Sequence, residues 1–461
     1  MDDKTIKIFR DASVPKAVFV NIIPSIVGMI MVLIYNLADT FFIGQSKVFV
    51  GQVENDLMVG AVGVGTPAFM LFMAVGLLFG IGGTSLIARM LGEGKGDDAK
   101  HVSSFCFWSA AIIGVIGGLI LLLFARPLGK MLGATPDMLD YVAQYISILA
   151  FGIPFLIIGN SFSNILRAEG QPVKAMIGMI LGNLTNIILD PIFILGFKWY
   201  IQGAALATVI GNVVAAAFYI FHLTSKKTIL SIKPKDYRIG HGVLIGVFAI
   251  GIPASLNNLF INISNIVINK LMQQYGAVAL SGLSVALKVN LIAVLLLIGL
   301  GTGIQPLLGY LVGARNRKRY MQCFRFTLFI AVLLSVVMTA ICYFGARPMV
   351  QTVLSDASAL ELGIQFCRTL IISGPILGVL FVVINAIQAM GAALPSLILS
   401  ISRQGLFYFP IVLAFNAIWH TPETIVLAQP VTDYIATLLA IILFIIAIKK
   451  YLPAHHEMIE G

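Results

Sequence analysis

Charged residues are scarce in this sequence, and their scarcity excludes a soluble protein. They make up 11% of the 461 residues, while hydrophobic residues make up 59%. Soluble domains carry about 25% charged residues and about 45–50% apolar ones. A chain of this composition cannot cover a surface that faces water. Its outer surface must therefore contact lipid.

Cysteines and enzyme-like motifs are also few. The four cysteines lie in or beside apolar segments with no Cys-x-x-Cys spacing, and the six histidines form no His-Glu-x-x-His pair. Such cysteines are expected to be buried apolar side chains. A membrane enzyme acting on lipid would need a nucleophile–base pair or a metal cluster in its helices, and the sequence offers neither. We expect no enzymatic activity, no catalytic residue, no cofactor and no metal other than a coupling Na⁺.

Long apolar segments predict an all-α integral membrane protein. A bilayer core needs about 20 apolar residues per helix, and helices satisfy their own backbone where lipid offers no partners. The segments do not alternate in polarity, which argues against a barrel. The predicted transmembrane helices, twelve in number, are 17–44, 59–88, 102–125, 137–166, 172–197, 203–224, 243–273, 278–313, 323–345, 359–389, 396–417 and 425–448.

The distribution of positive charge predicts the orientation. The net charge is +10, and 20 of the 30 Lys and Arg residues fall in one alternating set of loops and the two tails. Positive loops mark the cytoplasmic side. We therefore expect a multi-pass protein of a bacterial or archaeal plasma (inner) membrane with both termini in the cytoplasm. The basic residues contact lipid headgroups rather than nucleic acid.

The sequence contains a repeat of two halves with six helices each. Residues 225–242 form the longest internal polar segment, and they separate a predicted N-lobe, 1–224, from a predicted C-lobe, 243–461. At a constant offset of 221 residues, Ala125-Arg126-Pro127 matches Ala346-Arg347-Pro348, and glycines, prolines and asparagines elsewhere match in the same register. An even number of helices makes the repeat parallel. Transporters built from paired repeats work by alternating access around a central site.

Two acidic residues are predicted deep inside helices, and both belong to the first half. They are Asp39 and Asp190, whereas Asp433 is placed near a helix end. A charge at the bilayer centre costs about 2.5–3.5 kcal/mol, so such residues are usually functional. The alternative interpretation is that both acids merely hydrogen-bond to neighbouring helices. Aligning Pro24 with Pro253 places Ile268 opposite Asp39, and aligning Pro191 with Pro410 places Phe409 opposite Asp190.

Polar residues accompany the two acids at helical spacing. Asn36 shares a helix face with Asp39, and Asn186 and Asn183 share one with Asp190. Thr208 adds a hydroxyl from the sixth helix. Oxygen ligands of this kind suit a proton or a hard cation such as Na⁺. We expect an ion site of Asp39, Asn186, Asp190 and Thr208, supported by Asn36 and Asn183.

The second half carries basic residues inside apolar segments. Lys288 and Arg403 contact an anionic part of a substrate, pair with another charge, or extend to the membrane interface. The predicted substrate pathway consists of these two residues with Asn257, Asn262 and Gln388.

The sequence resembles the multidrug and toxic compound extrusion (MATE) family over nearly its whole length, and is most similar to its bacterial MepA-like exporters. The resemblance is carried by the motifs PSIVGMIMVLIYNLADTFFIG, LIARMLGEGKGDDA, ILRAEGQPVKAMIGMILGNLTNIILDPIFILG and GAALATVIGN. It implies two lobes of six helices and an N-lobe cation site at Asp39, Asn186, Asp190 and Thr208. One branch of the family has acids on helices 7 and 10. This sequence has Ile261 or Asn262 and Asn385 there, which argues against coupling through the C-lobe.

The expected function is antiport. The chain would export drugs or other small organic molecules in exchange for H⁺ or Na⁺, with alternating access of the two lobes. The alternative is a flippase for a lipid-linked precursor of the wider superfamily, which would carry more helices and several cavity arginines. Expected partners are small organic substrates and membrane lipid, with no nucleic acid and no obligate protein partner.

Overall fold

The computed structural model describes residues 3–45, 52–225, 228–240, 242–354 and 356–453. These residues are almost entirely helical, and twelve of the helices are long and apolar enough to cross a membrane. The predicted all-α class and the twelve spans are therefore confirmed. The helices of the first half are α1 (Val14–Gln45), α2 (Gln52–Gly92), α3 (Gly96–Leu123), α4 (Leu139–Ala168), α5 (Pro172–Gly196) and α6 (Tyr200–Thr224).

The second half repeats this order. Two of its helices are interrupted, one by a 3₁₀ turn at Ile371–Ser373 and the other by a π-helical segment at Ser402–Tyr408. The helices are α7 (Val243–Gln273), α8 (Ala277–Gly313), α9 (Arg317–Phe344), α10 (Ala357–Ala389), α11 (Ala393–Trp419) and α12 (Pro422–Tyr451).

The chain divides into two compact units. Unit 1 comprises Met1–Ile6 and Ile30–Gly251, and unit 2 comprises Lys7–Met29 and Ile252–Gly461. Helices α1 and α7 are thus each shared between the units. The lobe limits expected from the sequence place these helices entirely in one lobe each, and those limits stay a prediction.

The repeat is visible in the same ion pair within each unit. Arg126 Nη2 lies 2.5 Å from Asp140 Oδ1, and Arg347 Nη2 lies 2.6 Å from Glu361 Oε1. Both members of the second pair are offset by 221 residues from those of the first. Both pairs are exposed and contribute at most about 1 kcal/mol to stability. Their value is as a marker that the two halves fold alike.

A matched glycine–asparagine contact shows the same repeat inside the helix packing. A Cβ added to Gly80 would lie 3.1 Å from Asn164 Nδ2, and one added to Gly301 would lie 2.5 Å from Asn385 Nδ2. Each asparagine also donates to the carbonyl four residues earlier in its own helix. The glycines leave room for a polar side chain, as is typical of membrane helix interfaces.

The fourth helix of each half forms the centre of its unit. In α4 and α10, 61% and 72% of the most apolar stretch is buried, more than in any other spanning helix of the same half. The remaining helices surround these two and leave large apolar side chains exposed, as lipid contact requires. Within unit 1, this arrangement directs α1, α2, α5 and α6 toward a common polar region.

Candidate functional site

Unit 1 contains a cavity of about 250 Å³. Five helices of the first half line it, namely α1, α2, α4, α5 and α6. Its apolar wall includes Phe69, Met70, Met73 and Met179. The predicted residues that line it are Asn36, Asp39, Asn183, Asn186 and Thr208. Five of the six predicted ion-site residues thus meet in one cavity.

Asp39 enters the cavity from α1. Its side chain is half-buried, and Asn36 lies one turn earlier on the same face with its Nδ2 donating to Val32 O at 2.7 Å. Tyr35 lines the same wall. The spacing of three and four residues places these polar groups together on α1, as the sequence predicted.

Asp190 lies at the end of the α-helical part of α5, and its side chain is fully buried (0% exposed). Neither of its carboxylate oxygens has a hydrogen-bond partner among the described residues. Buried carboxylates are normally paired or hydrogen-bonded, because leaving them without a partner is costly. Two buried acceptors without donors indicate a place for a proton or a cation.

Asn186 connects this acid to α6. It lies one turn before Asp190, and its Nδ2 donates to Thr208 Oγ1 at 3.3 Å. Thr208 Oγ1 in turn donates to Ala204 O at 3.0 Å. Thr208 therefore donates its hydroxyl proton within α6, and its hydroxyl oxygen accepts from Asn186. Asn186 Oδ1 has no partner within the described part of the chain, so a further acceptor is available beside Asp190.

A close approach of α5 and α6 makes this contact geometrically attainable. A Cβ added to Gly211 would lie 2.7 Å from Gly182 O, and one added to Gly182 would lie 2.9 Å from Gly211 O. Only glycine allows two helix backbones to come this near. These two glycines therefore set the distance between Asn186 and Thr208.

The backbone changes pitch directly after Asp190. Residues Pro191–Gly196 form a π-helical segment, in which Phe197 N donates to Ile192 O at 2.8 Å. Proline has no N–H to donate to the preceding turn, and π-helical segments are frequent at functional sites. The wider segment begins at Pro191, where the α-helical hydrogen-bond ladder lacks a donor.

The donor set of the site is oxygen-rich and anionic. Asp39 lines the cavity, Asp190 is buried one helical turn after the lining residue Asn186, and no Lys, Arg or His is among the described cavity-lining residues. Carboxylate, amide and hydroxyl oxygens are ligands for a hard cation, and like carboxylates in a poorly hydrated site favour proton binding by one of them. The residues therefore fit H⁺ or Na⁺.

The five residues predicted for a substrate pathway all belong to unit 2, and none lines the cavity of unit 1. Lys288 is exposed on α8, and Asn257 is half-buried. Asn262 Nδ2 donates to Asn258 O at 3.0 Å, and Gln388 is buried. A role of these residues in substrate passage stays a prediction.

Arg403 is engaged in a buried ion pair. Its Nη2 lies 3.0 Å from Asp433 Oδ1, and both side chains are nearly inaccessible. Asp433 also accepts hydrogen bonds from Ser373 Oγ at 3.0 Å and Gln429 Nε2 at 3.0 Å. The ion pair joins α11 to α12, so the guanidinium of Arg403 is paired within the packing of unit 2.

Asp433 corrects one expectation from the sequence. It lies inside α12 (Pro422–Tyr451) and is 2% exposed, so the placement near a helix end was wrong. The predicted helix, 425–448, begins only three residues after the observed start at Pro422, so it already placed Asp433 more than two turns inside the membrane segment. The spacing of Gln429 and Asp433 by one helical turn was the available signal.

Comparison with known sequences decides the family. The sequence model of the MatE family matches residues 24–192 and 253–414. This chain belongs to the MatE family. The two matches start at Pro24 and Pro253, which the repeat aligns with each other, so the family pattern occurs once in each half.

Members of the MatE family resemble this chain over its full length. It is 30% identical to the multidrug export protein MepA of Staphylococcus haemolyticus (strain JCSC1435), over 91% of each chain. It is 28% identical to the protein of that name from Staphylococcus aureus (strain NCTC 8325 / PS 47), over 100% of each chain. A crystal structure of MATE in complex with MaL6 superposes with a TM-score of 0.91 at 24% identity, covering 98% of this chain and 100% of the other. The resemblance and the fold expected from the sequence are confirmed, and the protein is a multi-pass membrane protein.

Proposed function

We propose that this protein is a secondary active antiporter that exports drugs or other small organic molecules in exchange for H⁺ or Na⁺. The coupling ion binds at Asp39 and Asp190 with Asn186 and Thr208, and Asn36 and Asn183 complete the polar wall. Export proceeds by alternating access of the two lobes. The names of the staphylococcal relatives support the direction of transport and the drug substrates.

One observation carries the proposal. Asp190 is fully buried with two unpartnered carboxylate oxygens among the described residues, and it lies next to Asn186 and in electrostatic range of Asp39. A carboxylate held this way in a membrane helix is costly unless it gains a proton or a cation. Moving one positive charge across the membrane with the potential gains about 2.3 kcal/mol per 100 mV, which can drive export.

The cavity wall supports organic substrates with aromatic or apolar groups. Met70, Met73 and Met179 give an adaptable surface, and Phe69 and Tyr35 give flat aromatic faces. The carboxylate of Asp39 and the absence of cationic side chains from the described lining favour positively charged substrates. Substrate and coupling ion would then compete for one anionic cavity, which is a direct route to exchange.

The decisive experiment is uphill transport in proteoliposomes. Purified protein is reconstituted, a proton gradient and a sodium gradient are imposed separately, and accumulation is followed with a panel of cationic, neutral and anionic dyes. Asp39→Asn and Asp190→Asn keep the shape of the side chain but remove its charge. Each should reduce gradient-driven accumulation to the level of empty vesicles, while the protein still inserts and elutes as a single species.

Matched controls come from the second half of the chain. Ile268→Asn and Phe409→Leu change the positions that the repeat pairs with Asp39 and Asp190, and both should retain coupled transport. Full coupled activity in the Asp39→Asn, Asp190→Asn double variant would refute an ion site in unit 1.

A further inference from the structure

The proposed ion site lies at one end of the cavity in unit 1. We call outer the end of unit 1 at which α1 and α5 end and α2, α4 and α6 begin, which is the outer side for a chain with cytoplasmic termini. Among the described lining residues, the outermost on each helix are Asp39 on α1, Val62 on α2, Tyr145 on α4, Asn186 on α5 and Thr208 on α6. From this level the lining extends toward the opposite end of the unit, as far as Met179 and Tyr219. The site is therefore at the outer limit of the cavity.

One helical turn beyond the site, polar residues give way to apolar ones. In four helices, a polar residue at the level of the site and an apolar residue nearer the outer end are four positions apart, which places both on the same helix face. These pairs are Asp39 and Ile43 on α1, Thr66 and Val62 on α2, Asp190 and Ile194 on α5, and Thr208 and Ala204 on α6. The four apolar members are here called the seal.

The seal is a packed layer that borders the cavity. Ile43, Ile194 and Ala204 are at most 6% exposed and form one apolar cluster, against which Val62 packs. Val62 also lines the cavity, so the cluster lies at its outer end. A charge is costly in such surroundings, and apolar constrictions stop ions by excluding the water that would hydrate them. The packing of the seal is therefore that of a barrier to ions.

The hydroxyl groups at the level of the site bond to the backbone of the seal. Thr66 Oγ1 donates to Val62 O at 2.6 Å, and Thr208 Oγ1 donates to Ala204 O at 3.0 Å. These two carbonyl oxygens are already hydrogen-bonded, whereas the carboxylate oxygens of Asp190 have no partner among the described residues. The acceptors that are available to a cation therefore lie at the level of the site rather than in the seal.

The second half has apolar residues at both levels. In the alignment that places Ile268 opposite Asp39, Met272 falls opposite Ile43. Ile268 and Met272 are at most 3% exposed and belong to one apolar cluster of unit 2. The outer apolar residue is thus common to both halves on this helix, and unit 1 differs in having a carboxylate one turn below it.

We propose that the seal closes the outer end of unit 1 to the coupling ion, so that an ion at Asp39 and Asp190 enters and leaves only through the cavity that the substrate also occupies. This inference rests on the ion site proposed above. A direct path from the site to the outer side would let ions cross without any substrate moving in exchange. The seal keeps ion movement tied to export.

The test is ion entry into proteoliposomes that contain no organic substrate. A proton gradient and a sodium gradient are imposed separately, and entry is followed with a pH-sensitive or a sodium-sensitive dye inside the vesicles. Ile194→Ser places a hydroxyl in the seal without changing a cavity-lining residue. Because water can then enter the layer, ion entry should rise by about tenfold over the wild type, and gradient-driven accumulation of organic dyes should fall. Ile194→Val keeps the layer apolar, so its ion entry should stay low.

Three further variants show whether the added entry passes through the seal and the site. Ile43→Ser opens the same layer from α1 and should also raise ion entry. Ile188→Ser makes the same change at a position of α5 that is 52% exposed, and its ion entry should equal that of the wild type. Combining Ile194→Ser with Asp190→Asn should remove most of the added entry, because the ion no longer binds on its way.

The outcomes separate the seal from the ion site. Wild-type ion entry in both Ile194→Ser and Ile43→Ser would overturn the seal, as would equal entry in Ile188→Ser and Ile194→Ser or undiminished entry in the combination with Asp190→Asn. Each of these results is compatible with loss of coupled transport in Asp39→Asn and Asp190→Asn alone, so the ion site would stand. Full coupled transport in those two variants would instead refute the ion site itself.

Discussion

The buried pair of Arg403 and Asp433 allows a sharp prediction about the second half. The two side chains are 6% and 2% exposed, and the pair is joined by Nη2–Oδ1 and Nε–Oδ1 bonds of 3.0 and 3.2 Å. Removing one partner of a buried pair leaves an uncompensated charge and costs about 3–5 kcal/mol. Arg403→Met should therefore destabilise the protein by that amount, since Ser373 and Gln429 alone remain to solvate the Asp433 carboxylate.

The double variant Arg403→Met, Asp433→Asn should regain most of the lost stability. The amide introduced in place of the Asp433 carboxylate would accept from Gln429 Nε2 through its oxygen and donate to Ser373 Oγ through its nitrogen. The introduced methionine would fill the apolar space beside Phe381, over whose ring the guanidinium lies at 5.5 Å. The wild type, the single variants Arg403→Met and Asp433→Asn, and the double variant form a double-mutant cycle, whose coupling energy isolates the contribution of the ion pair. Unfolding is followed by tryptophan fluorescence in mixed detergent micelles with increasing SDS, and transport is measured in proteoliposomes.

Two outcomes would contradict a structural pair. In the first, the double variant is no more stable than Arg403→Met, so that the charges are not coupled. In the second, Arg403→Met is stable but loses transport of anionic dyes alone, so that Arg403 contacts the substrate. The second outcome would restore the role in the substrate pathway that the sequence suggested.

Two further predictions concern helix packing and orientation. Gly211→Val places a branched side chain against Gly182 O, 2.7 Å from the first added carbon, so we expect it to separate α5 from α6, to break the Asn186–Thr208 bond and to abolish coupled transport. The control Gly240→Val, where an added carbon meets nothing within 4 Å, should be active. An active Gly211→Val would disprove the close approach of the two helices as the cause. Lys235→Cys and Thr421→Cys, both at exposed positions, should react with a membrane-impermeant thiol reagent from the cytoplasmic and the outer side, respectively. Labelling from the same side would contradict the twelve-helix topology, and the reverse pattern would contradict cytoplasmic termini.

Helix positions were largely predictable, because apolar length is a direct consequence of lipid contact. For α7 the predicted limits, 243–273, coincide with the structure, since polar residues bound the segment on both sides. For α2 the predicted 59–88 is shorter than the observed Gln52–Gly92. Backbone hydrogen bonding extends α2 beyond the apolar segment into more polar sequence near Glu54 and Arg89. Counting apolar residues cannot detect that extension.

The residues of the candidate site were predictable for a different reason. Charges are so few in this sequence that Asp39 and Asp190 stand out, and helical spacing alone assigned Asn36 and Asn186 to the same faces. The buried carboxylate of Glu169, in the turn between α4 and α5, could not be found in this way. It accepts hydrogen bonds from Thr228 and Ile229, which are about 60 residues later in the chain, and no local pattern shows that the polar segment folds back over the turn.

The two halves share one scaffold but treat buried carboxylates in opposite ways. In unit 2, Asp433 is bonded to Arg403, Ser373 and Gln429, so it is neutralised within the protein and has no need of an external cation. In unit 1, Asp190 has no such partner among the described residues, and no basic side chain occupies the described wall beside it. A permanent internal cation stabilises one fixed state, whereas an exchangeable one allows the site to exist in two charge states. Among the described residues, the buried carboxylate of unit 1 is the one suited to the ion-coupled exchange proposed above, and the apolar side chains of Ile268 and Phe409 at the matching positions agree with one coupling site per chain.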